Sequence, residues 1–191
     1  MNQMTVVSGS LSDREFTRES LDNGSFRTSF LSKEKDFMAK ILALVTMSIN
    51  VNSTAAEELT EQKEVIFSGS KTEVALLNMT RGLGHQYAED REKANVVELY
   101  PFSSEVKSMS VVIKVMKDAP FEQHMKLPDP QPDSLVRFWL FVKGAAEIIS
   151  QSCNRYLDEN GVVCCLHSQS QDSLFARSER WMMHTEKSLP I

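Results

Sequence analysis

The stretch VRFWLFVKGAAEII, residues 136–149, constrains the fold of this chain more than any other. Aromatic and β-branched side chains dominate its first half, which suits a strand with a buried face. The run breaks at Lys143-Gly144-Ala145, and helical apolar spacing follows at once. Neither a lysine nor a glycine at the mouth of a strand adds to a core. One reading is a strand-to-helix turn whose lysine snorkels to water along its aliphatic stem. The other is a ligand that needs a positive charge and close backbone approach, which Gly144 permits because it has no Cβ.

A strand needs a partner, and KSMSVVIKV, 107–115, alternates well enough to supply an antiparallel one. The segment between them, 117–134, holds four of the six prolines and reads as a long exposed loop. VVELYPF, 96–102, is a further strand, and EVIFSGS, 64–70, is a short one ending at Gly69. Residues 34–50 show helical spacing: Phe37, Ile41, Leu44 and Ser48 make one stripe, with Met38, Leu42, Val45 and Ile49 beside it. KTEVALLNMTRGLG is a second helix, stopped at Gly82 or Gly84, and HQYAEDREKAN is a charged surface helix. NRYLDENGVV predicts a hairpin turning at Asn160-Gly161. STAAEELTEQKE, 53–64, reads as a polar connection, and 8–33 as a loose, extended segment. The expected fold class is α+β, a mainly antiparallel sheet flanked by helices. Its expected organisation is a loose N-terminal segment over 1–33, one domain over 34–166 and an irregular tail over 167–191.

Bulk properties narrow the function. At 191 residues with 41% hydrophobic and 25% charged, the chain has the material for one core. A net charge of −5 disfavours nucleic acid and anionic membrane surfaces as partners, since both select basic faces. The N-terminus has no basic start followed by an apolar stretch, so it does not read as a signal peptide. FMAKILALVTMSINV is the greasiest segment, but it carries Lys40 and is too short to span a bilayer. The expectation is a chain without direct membrane insertion. Its three cysteines, Cys153, Cys164 and Cys165, point to a reducing compartment. The four histidines show neither metal spacing nor a nucleophile partner, so neither a catalytic residue nor a metal site is expected here.

Two further motifs bear chemistry. FSGSKTEVALL puts Gly-Ser-Lys-Thr between a strand and a helix, but a phosphate loop needs a second upstream glycine and an adjacent Gly-Lys pair. That reading is rejected. Ser70 and Glu73 have the spacing of a capping box, the serine capping the helix and the glutamate reaching back. A pocket at the strand end is the other destination open to Glu73. In YPFSSEVKSMSVV, Phe102 and Lys107 flank a short loop and can sandwich a flat, electron-rich ring by stacking and charge. A core phenylalanine and a solvated lysine are the plainer alternative.

In this order, GSKTEVALL, PFSSEVKSMSVVIK and FVKGAAEII resemble three successive signatures of the nucleotide-binding domain of P-type ATPases. The likeness is greatest to calcium-transporting pumps of the plasma-membrane and fungal vacuolar kind. NQMTVVSG also resembles the residues that follow that family's phosphorylated aspartate. The resemblance implies an adenine-nucleotide site: Glu73 near the adenine amino group, Phe102 stacked on the base, Lys107 holding the nucleotide, and Lys143 with Gly144 at the back of the pocket. It implies ATP as the ligand, taken as Mg-ATP in the parent protein.

The departures from the family bound what this chain does. The Asp-Lys-Thr-Gly-Thr stretch that accepts the phosphoryl group is missing, as are the family's magnesium-binding acidic motif and its membrane helices. The chain should not catalyse alone, and the phosphorylation and membrane domains of a parent pump are its implied partners. The resemblance implies a soluble, cytoplasm-facing domain of an integral protein of the vacuolar or plasma membrane. Neither Arg177 nor Arg180 can be assigned the family's phosphate-side arginine. The contrasting reading is a non-catalytic interaction module, or a remnant that keeps the outline of the fold and binds no nucleotide.

Overall fold

The computed structural model describes residues 4–12, 14–26, 35–116, 136–158 and 162–166, with backbone alone at 35–40 and 116. The expected proline-rich loop, the Asn160-Gly161 turn and the expected tail lie outside the described residues. In chain order the elements are strands β1 (Ser8–Leu11) and β2 (Arg14–Thr17), then helices α1 (Arg18–Asp22) and α2 (Lys35–Val51). Strands β3 (Ala56–Leu59) and β4 (Val65–Ser68) follow, then helices α3 (Lys71–Gly82) and α4 (Tyr87–Lys93). Three long strands come next: β5 (Asn95–Ser103), β6 (Ser108–Met116) and β7 (Val136–Gly144). Helix α5 (Ala146–Ser152) and the short strands β8 (Arg155–Leu157) and β9 (Val163–Cys165) complete the set. Every strand pair is antiparallel, as an α+β fold of this kind requires.

Helix α2 is the hub, because its wide apolar face reaches three separate clusters. Ile41 and Leu42 pack with Phe26 and Leu83; Val51, with Leu44 and Met47, packs on the sheet; Ile49 joins Ala55, Phe67, Leu77 and Tyr87. The sheet runs β5-β6-β7, with β6 in the middle and paired along its length with β7, from Ser108 opposite Gly144 to Met116 opposite Val136. Val111, Ile113 and Phe141 point from its inner face to α2 and are almost fully buried. Asn52, just past the end of α2, donates to the carbonyls of Met109 and Phe141 at 3.4 and 3.3 Å. That one amide ties the helix end to both long strands. On the outer face, Tyr100, Phe138, Leu140 and Val142 are exposed.

Two expectations need correction. Residues 8–33 were expected to be loose, yet β1 and β2 form a hairpin that leads into α1. The Phe16 ring crosses the hairpin onto Gly9, where a Cβ would meet it at 2.4 Å, and it also packs on Phe26 at 4.8 Å between centroids. Thr17 and Ser20 cap α1 reciprocally through side chain and backbone. The supposed polar connection at 53–64 contains β3, paired with β4. Ala56, Glu57, Glu58 and Leu59 are all exposed, so the strand has no buried face to print an alternating pattern.

The helix α3 stop is settled by Gly84. Its φ of +86° suits glycine, and its N–H donates to the Arg81 carbonyl at 3.0 Å. Gly82 lies inside the helix.

Candidate functional site at the end of the three-stranded sheet

The first turn of α3 brings Glu73 in. Ser70 caps the helix, its Oγ accepting from the Glu73 N–H at 3.3 Å. The carboxylate does not reach back, however, so only half of the expected capping box forms. It is engaged elsewhere: Oε1 accepts from the Thr54 N–H at 3.0 Å, and Oε2 accepts from the Thr54 hydroxyl at 2.8 Å. Lys143, next to last in β7, donates its Nζ to Oε1 at 2.8 Å. The carboxylate side chain is 8% exposed and the lysine 27%, so the pair is largely screened from water. Burial pushes the Glu73 carboxyl up, but the hydrogen bond from Lys143, the two from Thr54 and the lysine charge outweigh it. The group is held at about 2, down from an ordinary 4.5.

The segment that carries Thr54 is clamped from both sides. Arg91 of α4 donates to the carbonyls of Asn50, at 3.1 Å, and of Ser53. Tyr87 donates its hydroxyl to the Ala55 carbonyl at 2.8 Å, and Arg91 lies over the Tyr87 ring at 4.6 Å. Asn50 accepts from Thr80 at 2.7 Å and donates to Asp90 at 2.6 Å, tying α2 to both α3 and α4. Gly69, at φ +151°, lies against Ala55 so closely that a Cβ would fall 2.6 Å from the alanine's.

Strand register brings the other expected residues to the same end of the sheet. Phe102 precedes Ser103, Ser103 pairs with Ser108, and Ser108 pairs with Gly144. The turn between β5 and β6 ends at Lys107, whose φ is +52° and whose carbonyl accepts from Ala145 at 3.0 Å. Gly144 has a structural reason beside any ligand: a Cβ there would stand 2.5 Å from that Lys107 carbonyl. The glycine lets the turn close on the end of β7. Phe102 is not a core residue; it is 60% exposed, and Lys107 is exposed as well. All five expected residues thus converge on one end of β5-β6-β7, with Glu73 joined to the strand by its lysine bond.

Thr54, Arg91 and Asn50 were not singled out in the sequence. Thr54 and Arg91 lie in polar stretches and Asn50 lies at the end of an apolar helix, and local periodicity assigns no partners to polar residues. A cleft of about 290 Å³ lies elsewhere, between the N-terminal segment and α3, lined by Arg18, Asp22, Asn78 and Met79 among others. None of the five site residues lines it. Among the described residues, no group of three or more His, Cys, Asp or Glu is placed to hold a metal ion. Among them too, no helix is long and apolar enough to cross a membrane.

Comparison with known proteins decides the family. The family model for P-type ATPase, cytoplasmic domain N, matches residues 40–191. The chain belongs to that family. Domain N thus accounts for most of the sequence, including every element that builds the site. Relatives of the domain are calcium-transporting ATPases, in line with the likeness seen in the motifs. Calcium-transporting ATPase PAT1 of Dictyostelium discoideum is 40% identical over 121 residues, which cover 63% of this chain and 9% of that protein. Calcium-transporting ATPase 2 of Cryptococcus neoformans is 34% identical over 173 residues, 82% of this chain and 11% of that protein. The human plasma membrane calcium-transporting ATPase 4 is 28% identical over 181 residues, 91% of this chain and 12% of that protein. The chain therefore spans about a tenth of the length of these relatives.

Proposed function

We propose that this chain binds an adenine nucleotide at the end of β5-β6-β7, with Glu73, Phe102, Lys107, Lys143 and Gly144 forming the site. The observation that supports the reading is the exposed Phe102, one residue before Ser103, at the strand end where Ser108 pairs with Gly144 and Lys143 bonds the buried Glu73 carboxylate. An aromatic ring that faces water at the edge of a site offers a stacking surface for a purine. Carboxylate oxygens accept from an exocyclic amino group, and the lysines meet negative charge. Gly144 contributes by bringing the Lys107 turn up to Lys143.

On this reading the parent protein is a calcium-transporting pump, which uses ATP to phosphorylate an aspartate and couples that step to cation movement. Magnesium accompanies the nucleotide there; no residue of this chain is assigned to it. The domain supplies nucleotide binding and leaves phosphoryl transfer to the parent's other domains.

A second reading has one observation in its favour. The outer sheet face exposes Phe138, Leu140, Val142 and Tyr100 together, as an interaction module without nucleotide would. The two are separated by titrating the 191-residue chain with ATP while following its amide NMR signals. Saturable shifts around 73, 102, 107 and 143 that Phe102→Ala removes support nucleotide binding. A dispersed spectrum that ATP leaves unmoved favours the interaction module.

A further inference from the structure

The Glu73 carboxylate sits where the main-chain path of α3 alone would not put it. A glutamate three residues after a serine cap ordinarily turns back to the cap's own N–H. Here it is drawn across to the segment that joins α2 to β3, and one residue there makes the difference. Thr54 presents two donors to two different oxygens, N–H to Oε1 and hydroxyl to Oε2, which together fix the plane of the carboxylate. Lys143 then meets Oε1 from the strand side.

Counting acceptors shows what this grip leaves. A carboxylate offers about four lone-pair sites, two on each oxygen. Among the described residues, Oε1 takes both the Thr54 N–H and Lys143, whereas Oε2 takes the Thr54 hydroxyl alone. One acceptor position then remains among the described residues, and it is on Oε2. Thr54 itself has little room to adjust, because the carbonyls on either side of it, of Ser53 and Ala55, are held by Arg91 and Tyr87.

We infer that Thr54 is a positioning residue for the nucleotide site: it aims the Glu73 carboxylate so that Lys143 is held on Oε1 and Oε2 is presented to the amino group of the base. The inference deepens the proposed nucleotide reading and rests on it for the identity of the ligand. Thr54 does not touch the nucleotide. It acts through Glu73, and the hydroxyl is the part that matters, since any residue but proline supplies the N–H.

The test uses the full 191-residue chain in three forms: wild type, Thr54→Val and Thr54→Ser. Valine keeps the shape and the N–H and removes the hydroxyl; serine restores the hydroxyl without the methyl group. Two readouts are taken on each, the carbon-13 NMR titration of the Glu73 carboxyl and the equilibrium Kd for ATP. For Thr54→Val the carboxyl titrates closer to its ordinary 4.5, and the ATP Kd rises about tenfold, the scale of one hydrogen bond to a charged group. Thr54→Ser returns both toward wild type. The inference is overturned if valine changes neither readout, or if serine is as defective as valine, which would assign the effect to the fit of the whole side chain and not to the hydroxyl. Absence of ATP binding by the wild-type chain overturns the nucleotide reading instead. The carboxyl titration then decides alone whether Thr54 aims the pair.

Discussion

Lys143 and Glu73 stand 70 positions apart in sequence and 2.8 Å apart in space, the lysine near the end of β7 and the glutamate in the first turn of α3. The bond fastens a helix of one core cluster to the long sheet of another. Because the carboxylate is also gripped by Thr54, its removal and that of the lysine should not be equivalent. Glu73→Gln leaves Lys143 without its partner and weakens both bonds to Thr54, costing about 1–3 kcal/mol of stability. Lys143→Met leaves the carboxylate two of its three bonds and should cost less. Urea unfolding of both single variants and the double variant checks this, with a coupling energy above about 0.5 kcal/mol expected for residues in contact.

The same pair sets an acid limit on the fold. The folded carboxyl is depressed to about 2, below its ordinary 4.5. A group depressed on folding contributes stability that is fully present above the unfolded value and is lost as pH falls toward the folded one. The wild-type advantage over Glu73→Gln should therefore be constant from about pH 6 to 7 and shrink steadily below about pH 4.5. Urea midpoints of the two proteins across that range provide the measurement. An advantage that persists undiminished at pH 3 would mean that Glu73 is not the ionised partner.

Gly144 is required by the Lys107 carbonyl. An added Cβ would stand 2.5 Å from that oxygen, and backbone atoms cannot retreat as a flexible side-chain end can. Gly144→Ala should lower stability by about 1–3 kcal/mol and open the turn between β5 and β6. Thermal unfolding, together with amide shifts at Ser103 to Ser108, gives the result. Shifts confined to position 144 would argue that the turn yields without cost.

Phe102 separates binding from stability. The residue is mostly exposed, so Phe102→Ala should change folding stability by no more than about 0.5 kcal/mol. On the nucleotide reading, the same change removes a stacked base worth about 1–3 kcal/mol, a loss of roughly tenfold or more in ATP affinity. A variant as stable as wild type and equally good at binding ATP would remove Phe102 from the site.

Much of this was legible in the sequence where one local rule had one outcome. KSMSVVIKV alternates because one face of β6 meets α2 and the other does not, and VRFWLFV reads as a strand by its aromatic and β-branched residues although its outer face is apolar too. Gly84 ends α3 because a positive φ suits glycine. Legibility failed where that rule had nothing to act on. Strand β3 is wet on both faces, and β1 with β2 is held by a phenylalanine laid across a glycine, neither of which leaves a period. Glu73 matched a capping box by spacing, and Thr54 drew its carboxylate away.

By itself, then, the sequence determined the α+β class, the long strands, the helix between Ser70 and Gly84, and the ordered motifs that mark domain N of a P-type ATPase. These follow from propensity, periodicity and short spacings, which act within a few residues of each other. Only the tertiary structure decided that α2 serves three clusters, that Gly144 yields to Lys107, and that Thr54, Glu73 and Lys143 form one connected group. Those relationships depend on strand register and on the docking of helix ends. Both are set by burial summed over the whole core, and no local stretch of sequence carries that sum.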